Sequence, residues 1–210
     1  DQLKKYKSRM KHTTNETQNI LIKNNKISLE YIKNKINSYN SEPDKILKNR
    51  ENKNKILLNY SRVIASYKAG KYDLARKYLN TLENKFNNYP YFSELSGDIY
   101  YKNGNFEKAI SEYKKAINAN NEKFSPSVDL IKFSLVKSYN QTNNKTYYNE
   151  SIVIIEQLLQ NNPKWSYLWR LLAKSANKVN KQGISYIALA EEALIKKNFI
   201  KAKKYVDLAN

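Results

Sequence analysis

The sequence predicts an all-α fold of stacked antiparallel helix pairs, on three observations. Two strings, KAGKYDLARKYL from Lys68 to Leu79 and KNGNFEKAISEY from Lys102 to Tyr113, align Gly70 with Gly104, Tyr72 with Phe106 and Ala75 with Ala109, each pair 34 residues apart. Helix breakers are scarce and mark boundaries: three of the four glycines (Gly70, Gly97, Gly104) occupy repeat slots, and three of the four prolines (Pro90, Pro126, Pro163) fall between repeats. Between the breakers apolar residues recur at helical spacing, as at Leu29, Ile32, Ile36 and Tyr39.

Taken in order, residues 1–53 read as a helical connector and 54–210 as a repeat domain of four to five helix pairs. Ser28 is the expected N-cap of a connector helix whose apolar stripe is the one just named, and Ser-Glu-Pro within Asn40 to Asp44 breaks it. A spacing of 34 residues is the period of the tetratricopeptide repeat, in which two helices cross so closely that small residues are needed at the crossing and bulky ones between. Counted from Pro90 as position one, Gly97 falls at eight, Tyr100 at eleven, Gly104 at fifteen, Phe106 at seventeen, Ala109 at twenty, Tyr113 at twenty-four and Ala116 at twenty-seven. Gly70 and Gly104 stand where a first helix must end and turn, a place for a left-handed backbone. A third repeat runs from about Ser127 to Asn162, with Leu135 and Tyr139 on its first helix, Ser151, Ile155 and Leu158 on its second, and a lengthened loop NQTNNKTYYNE between. A fourth begins near Ser166, with Trp169, Leu172 and Ala173 in signature slots. The last unit places Ala190, Phe199, Ala202 and Ala209 in the small and aromatic slots, with Asn198 near where glycine would stand.

Composition bounds the function. The chain of 210 residues is 40% hydrophobic and 12% aromatic, enough for a core despite a mean hydropathy of -0.81. No apolar run is long enough to span a membrane. A start at Asp1 instead of Met is expected of a processed protein or an excised piece. The absence of cysteine excludes disulfides and thiolate metal sites and leaves the compartment open. A formal charge of +19 invites a nucleic-acid partner, but acids are interleaved with the lysines, as in FEKAISEYKK, and this spacing describes solvated helix faces.

No catalytic constellation is legible. His12 is the sole histidine, so neither a zinc site nor a histidine-based triad can be assembled. Carboxylates such as Glu94, Asp98, Glu191 and Glu192 lack a phosphate loop or nucleophile elbow beside them and read as surface charges. Function is therefore expected in the concave groove of stacked first helices, occupied by a protein or peptide segment. Its expected lining is Tyr60, Tyr67 and Lys68; Tyr91, Glu94, Asp98, Tyr101 and Lys102; Phe133, Lys137 and Asn140; and Tyr167, Arg170 and Lys174. The Lys and Asn pairing that clamps a C-terminal carboxylate in chaperone-binding repeats is not matched: those slots hold Tyr60 with Ile64, Glu94 with Asp98, and Arg170 with Lys174.

The succession YSRVIASYKAGKYDLARKYLNTL, YPYFSELSGDIYYKNGNFEKAISEYKKAI, PKWSYLWRLLAKSANKVN and YIALAEEALIKKNFIKAKKYV resembles the C-terminal tetratricopeptide region of BepA-type (HtpX-related) zinc metalloproteases, over roughly Lys55 to Asn210. The carriers are the Pro-Tyr-Phe-x-Glu-Leu-x-Gly opening at Pro90 to Gly97, the lengthened third-repeat loop, Trp-Arg-x-Leu-Ala at Trp169 to Ala173, and the helix at Ala190 to Leu194. The resemblance implies a periplasmic docking platform in outer-membrane protein quality control, with the peptidase domain or outer-membrane assembly proteins as partners. The family's His-Glu-x-x-His string does not occur here, so no catalytic or metal-binding residue carries over, and zinc would belong to a separate peptidase domain. A stand-alone repeat scaffold, cytoplasmic or not, is the alternative, with a basic nucleic-acid binder behind it.

Overall fold

A computed structural model describes residues 29–49, 54–84, 89–119 and 127–209, which form eleven helices and no strand. Ser28, His12 and Pro126 lie outside the described residues. The chain divides into two compact units, Asp1–Leu82 and Glu83–Asn210.

In the first unit, helix α1 covers 29–40, α2 is Pro43–Lys48, α3 is Lys55–Lys68 and α4 is Tyr72–Glu83, its last residue past the unit boundary. Pro43 starts α2, where its missing N–H is no loss, and the Asn54 side chain caps α3 by accepting from the N–H groups of Ile56 (3.1 Å) and Leu57 (3.3 Å). The connector helix exists, but the aliphatic stripe does not face inward. Leu29 and Ile36 are 49% and 55% exposed and Ile32 is exposed, whereas Tyr31 and Ser38 are buried. Polar complementarity with α3 decides the face: Tyr31 meets Tyr60 edge-on at 5.4 Å, Asn34 donates to the Leu57 carbonyl at 2.9 Å, and the Ser38 and Ser61 hydroxyls are 3.0 Å apart.

The second unit comprises α5 (Pro90–Lys102), α6 (Phe106–Ala119), α7 (Ser127–Tyr139), α8 (Lys145–Asn161), α9 (Ser166–Lys178), α10 (Gln182–Ile195) and α11 (Phe199–Ala209). Consecutive helices pack as antiparallel pairs, the arrangement the 34-residue period demands. Four hairpins of the chain are closed by one turn. At Gly70, Gly104, Asn180 and Lys197 the backbone takes a positive φ of 70°, 76°, 60° and 58°. In each, that residue's N–H bonds three residues back and the next N–H bonds five back, for example Gly104 to Tyr101 (3.1 Å) with Asn105 to Tyr100 (2.9 Å), and Lys197 to Leu194 (2.9 Å) with Asn198 to Ala193 (2.8 Å). This double bond satisfies carbonyls that the helix end leaves orphaned. Lys197, not Asn198, takes the glycine role in the last hairpin.

Five residues past each turn stands a small, buried side chain: Ala75, Ala109, Ser185 and Ala202. The corresponding slots on the preceding helices of the second unit hold the buried Gly97, Ala173 and Ala190, and Ser185 donates to the Ala173 carbonyl at 3.1 Å across the α9/α10 crossing. Helix α10 thus carries both slots, closing the pair with α9 and opening the pair with α11. At Gly97 a Cβ would lie 2.6–2.9 Å from the Tyr113 ring, so only glycine lets α6 approach. The α7/α8 loop departs from the common turn: Asn144 caps Thr146 N–H at 2.9 Å and the Tyr148 hydroxyl donates to the Thr142 carbonyl. Leu135, Tyr139, Ser151, Ile155, Leu158, Leu172 and Ala173 are buried as expected, whereas Phe199, assigned to an aromatic slot, is 67% exposed because α11 has no following helix over it among the described residues.

Candidate functional site

Three first helices of the second unit, α5, α7 and α9, bring several of the expected groove residues together. The Lys137 ammonium lies 5.0 Å from the Phe133 ring centre and 5.4 Å from that of Tyr101, so one cation bridges an aromatic on α5 and one on its own helix. Phe133 continues the contact edge-on to Tyr167 at 5.8 Å and, tilted, to Trp165 at 4.6 Å. Tyr101 is held from below by Phe106 at 5.5 Å, and Gln141 reaches its hydroxyl at 3.5 Å. Burial pushes the Lys137 ammonium below its ordinary value; Asp98 opposes that and Lys102 adds to it. A partly dehydrated cation among aromatic faces gains most from a carboxylate that arrives with its own apolar neighbours.

The remaining expected residues are placed otherwise. Tyr60, Glu94 and Asn140 are buried, which removes them from any accessible surface. Tyr60 packs with Tyr31, as described. Asn140 is a strut between helix ends: its amide donates to the Val136 carbonyl (3.1 Å) and to Ser175 (3.0 Å), and Lys174 donates to its carbonyl at 3.0 Å. Position in the period placed these residues on the groove side; side-chain reach then turned them into the fold. In the first unit Lys68 caps the end of α1 through the carbonyls of Tyr39 and, at 2.7 Å, Ser41, and Tyr67 lies 6.2 Å from Tyr72. In the second unit Tyr91 pairs with Tyr89 at 5.6 Å, Asp98 accepts from the Tyr113 hydroxyl at 2.7 Å, and Lys102 is exposed. Arg170 is committed to Glu192 through two nitrogens at 2.8 and 2.5 Å, and Lys196 donates to the same oxygen. Burial raises the Glu192 pKa, but the hydrogen bonds from Arg170 and Lys196 outweigh it and hold the carboxyl below the usual range.

The period alone did not reveal Trp165, which stands at the N-cap of α9 outside the numbered helix positions. Its signal was present in the sequence as a bulky aromatic directly after the Pro163 breaker.

A second polar cluster joins α6, α7 and α8. Tyr139 stacks on Tyr147 at 4.7 Å and its hydroxyl donates to Glu150, which Lys114 meets at 3.2 Å. Burial, and then the hydrogen bond to Glu150, push the Tyr139 hydroxyl well above its ordinary value. These bonds are saturated among themselves and serve as packing. Among the described residues no three His, Cys, Asp or Glu side chains come together to hold a metal ion, and no described helix is long and apolar enough to cross a membrane.

A family model described as a tetratricopeptide repeat-like domain matches residues 45–138. Among solved structures the chain is similar to one in the crystal structure of the APC/C hetero-tetramer Cut9-Hcn1, at 18% identity and a TM-score of 0.57 over 73% of this chain. The match spans 30% of that structure's chain. Among curated proteins no relative matches. The fold is the all-α tetratricopeptide-repeat solenoid of antiparallel helix pairs, and that architecture is one of protein–protein interaction. The BepA-type parentage that the motifs imply has no support from these comparisons.

Proposed function

We propose that the chain is a non-catalytic docking module that holds a polypeptide segment against the Tyr101–Lys137–Phe133–Tyr167 surface. The observation that carries this reading is the cation of Lys137 shared between rings of two successive repeats, 5.4 and 5.0 Å away. Such a surface offers flat apolar area at low entropic cost and one charge to orient a ligand, which suits an extended or helical segment with acidic and aromatic residues. Photo-crosslinking residues substituted for Tyr101 or Tyr167 in the native host are expected to yield polypeptide adducts, and one at Glu156 on α8 is not. Equal yields at all three positions, or adducts with nucleic acid, overturn the reading.

The finer proposal is that this module belongs to a periplasmic zinc metalloprotease and docks the peptidase domain, its substrates or outer-membrane assembly proteins. What supports it is the order of motifs from Lys55 to Asn210. Zinc would sit in the peptidase domain and not on these residues. The parent open reading frame decides: an upstream His-Glu-x-x-His string with an export signal, and recovery of the protein in the periplasmic fraction, sustain it. A frame without them leaves a stand-alone scaffold.

A further inference from the structure

The cations on the groove side of α7 and α9 differ in what holds them. Arg170 is bound by Glu192, and Lys174 by the Asn140 carbonyl. The half-buried Lys137 ammonium has no hydrogen-bond acceptor and no ion pair among the described residues; its neighbours are the Tyr101 and Phe133 rings at 5.4 and 5.0 Å. Ring faces attract a cation but do not take up its three N–H donors as an oxygen does. Asp98 acts on it only at longer range, its carboxylate accepting from the Tyr113 hydroxyl at 2.7 Å. An ammonium placed in this way gains most from a carboxylate brought to it.

The rings fix what must accompany that carboxylate. Phe133 stands four residues before Lys137, about 6 Å along the axis of α7. It meets Tyr167 edge-on at 5.8 Å, and Tyr167 is 43% exposed. A helix laid along α7 repeats at the same rise, so an acid over Lys137 sets the side chain four positions away over Phe133 and Tyr167.

The chain's own segments are poor occupants. Residues 120–126 join α6 to the start of α7, and half of a seven-residue span reaches about 12 Å, short of Lys137 at about 15 Å along the helix. Residues 1–28 carry seven Lys or Arg against Asp1 and Glu16, which sets like charge on like. A second copy, at +19, meets the same opposition. A nucleic-acid backbone asks for rows of free cations, and Arg170 and Lys174 are already taken.

We propose, resting on the docking reading above, that Lys137 selects the ligand: the groove takes a helix of a partner protein with an internal Asp or Glu seated on the Lys137 ammonium and an aromatic residue four positions away on the Phe133–Tyr167 edge.

The test uses the full chain and two labelled, alanine-rich helical peptides blocked at both ends, one with Glu and Phe at i and i+4, the other with Lys in place of Glu. By fluorescence anisotropy at physiological salt the Glu peptide is expected to bind at least about tenfold more tightly than the Lys peptide, and to lose about tenfold when its Phe becomes Ala. Lys137→Glu should invert the preference and Lys137→Met should level it, with circular-dichroism melts close to wild type. Lys132→Glu makes the same change in net charge on the side of α7 that faces Gln157, and should leave the preference as it was. Equal binding of both peptides, no binding of the Glu peptide, inversion by Lys132→Glu as well, or a single-stranded oligonucleotide that displaces the Glu peptide overturns the proposal. Polypeptide crosslinks at Tyr101 and Tyr167 alongside any of these results sink the selectivity alone and leave the docking reading standing; their absence removes both.

Discussion

The α5/α6 and α10/α11 hairpins share one backbone and differ in everything laid over it. Both close through the same pair of turn hydrogen bonds, with φ of 76° at Gly104 and 58° at Lys197. In the first, Gly97 admits the Tyr113 ring, Asp98 pins its hydroxyl at 2.7 Å, and Phe106 packs on Tyr101. In the second, Ala190 takes the glycine's place and Phe199 lies largely in solvent. Helix-end hydrogen bonding fixes the turn whatever residue occupies it, while what a helix buries depends on whether another helix covers it.

The largest effect expected from this comparison is at the small slots. Ala109→Glu should destabilise the chain by about 3–5 kcal/mol, through overpacking and an unpaired buried charge, and Ala202→Glu by clearly less, because its helix is open on one side. Urea unfolding followed by circular dichroism measures both, and equal losses would erase the distinction between the hairpins. Next comes Gly97→Ala, whose methyl would meet the Tyr113 ring at 2.6–2.9 Å with no freedom to swing; about 1–3 kcal/mol should be lost, recovered in part by adding Tyr113→Leu.

The turns themselves give smaller and opposite shifts. Gly104→Ala should lose about 1 kcal/mol at its left-handed position, and Lys197→Gly should gain about 0.5–1 kcal/mol, read from the same urea midpoints. Helix α10 supplies a pH dependence. The Glu192 carboxyl is held below its ordinary value, so its contribution is fully present above the unfolded value of about 4.3 and is lost as pH falls through the folded value. The gap in stability between wild type and Glu192→Gln should therefore be full at neutral pH and shrink in acid; a gap that grows on acidification would reverse the assignment. Smallest of all, Tyr101→Ala should cost under about 1 kcal/mol while weakening whatever the groove holds.

Legibility followed the kind of signal each residue carried. The helix pairs and their small crossings could be read because glycine, alanine and proline are restricted by backbone geometry, which a period exposes. The turns at Asn180 and Lys197 hid because those residues adopt a left-handed backbone only when the helix end rewards them. On α1 periodicity marked Leu29, Ile32 and Ile36 for burial, yet hydrogen bonds from Asn34 and Ser38 to α3 set the opposite face inward. The groove divided likewise. Tyr101, Phe133, Lys137 and Tyr167 meet, while Glu94 and Asn140, from the same positional rule, are buried.

By itself the sequence determined that helices pair, where the two glycine turns fall and which slots must stay small, since these follow from local sterics repeated every 34 residues. Only the tertiary structure decided which polar side chains became struts, which cation was left between rings and which helix face stayed bare. Those outcomes depend on the distances between residues remote in the chain, and spacing along a sequence does not encode them.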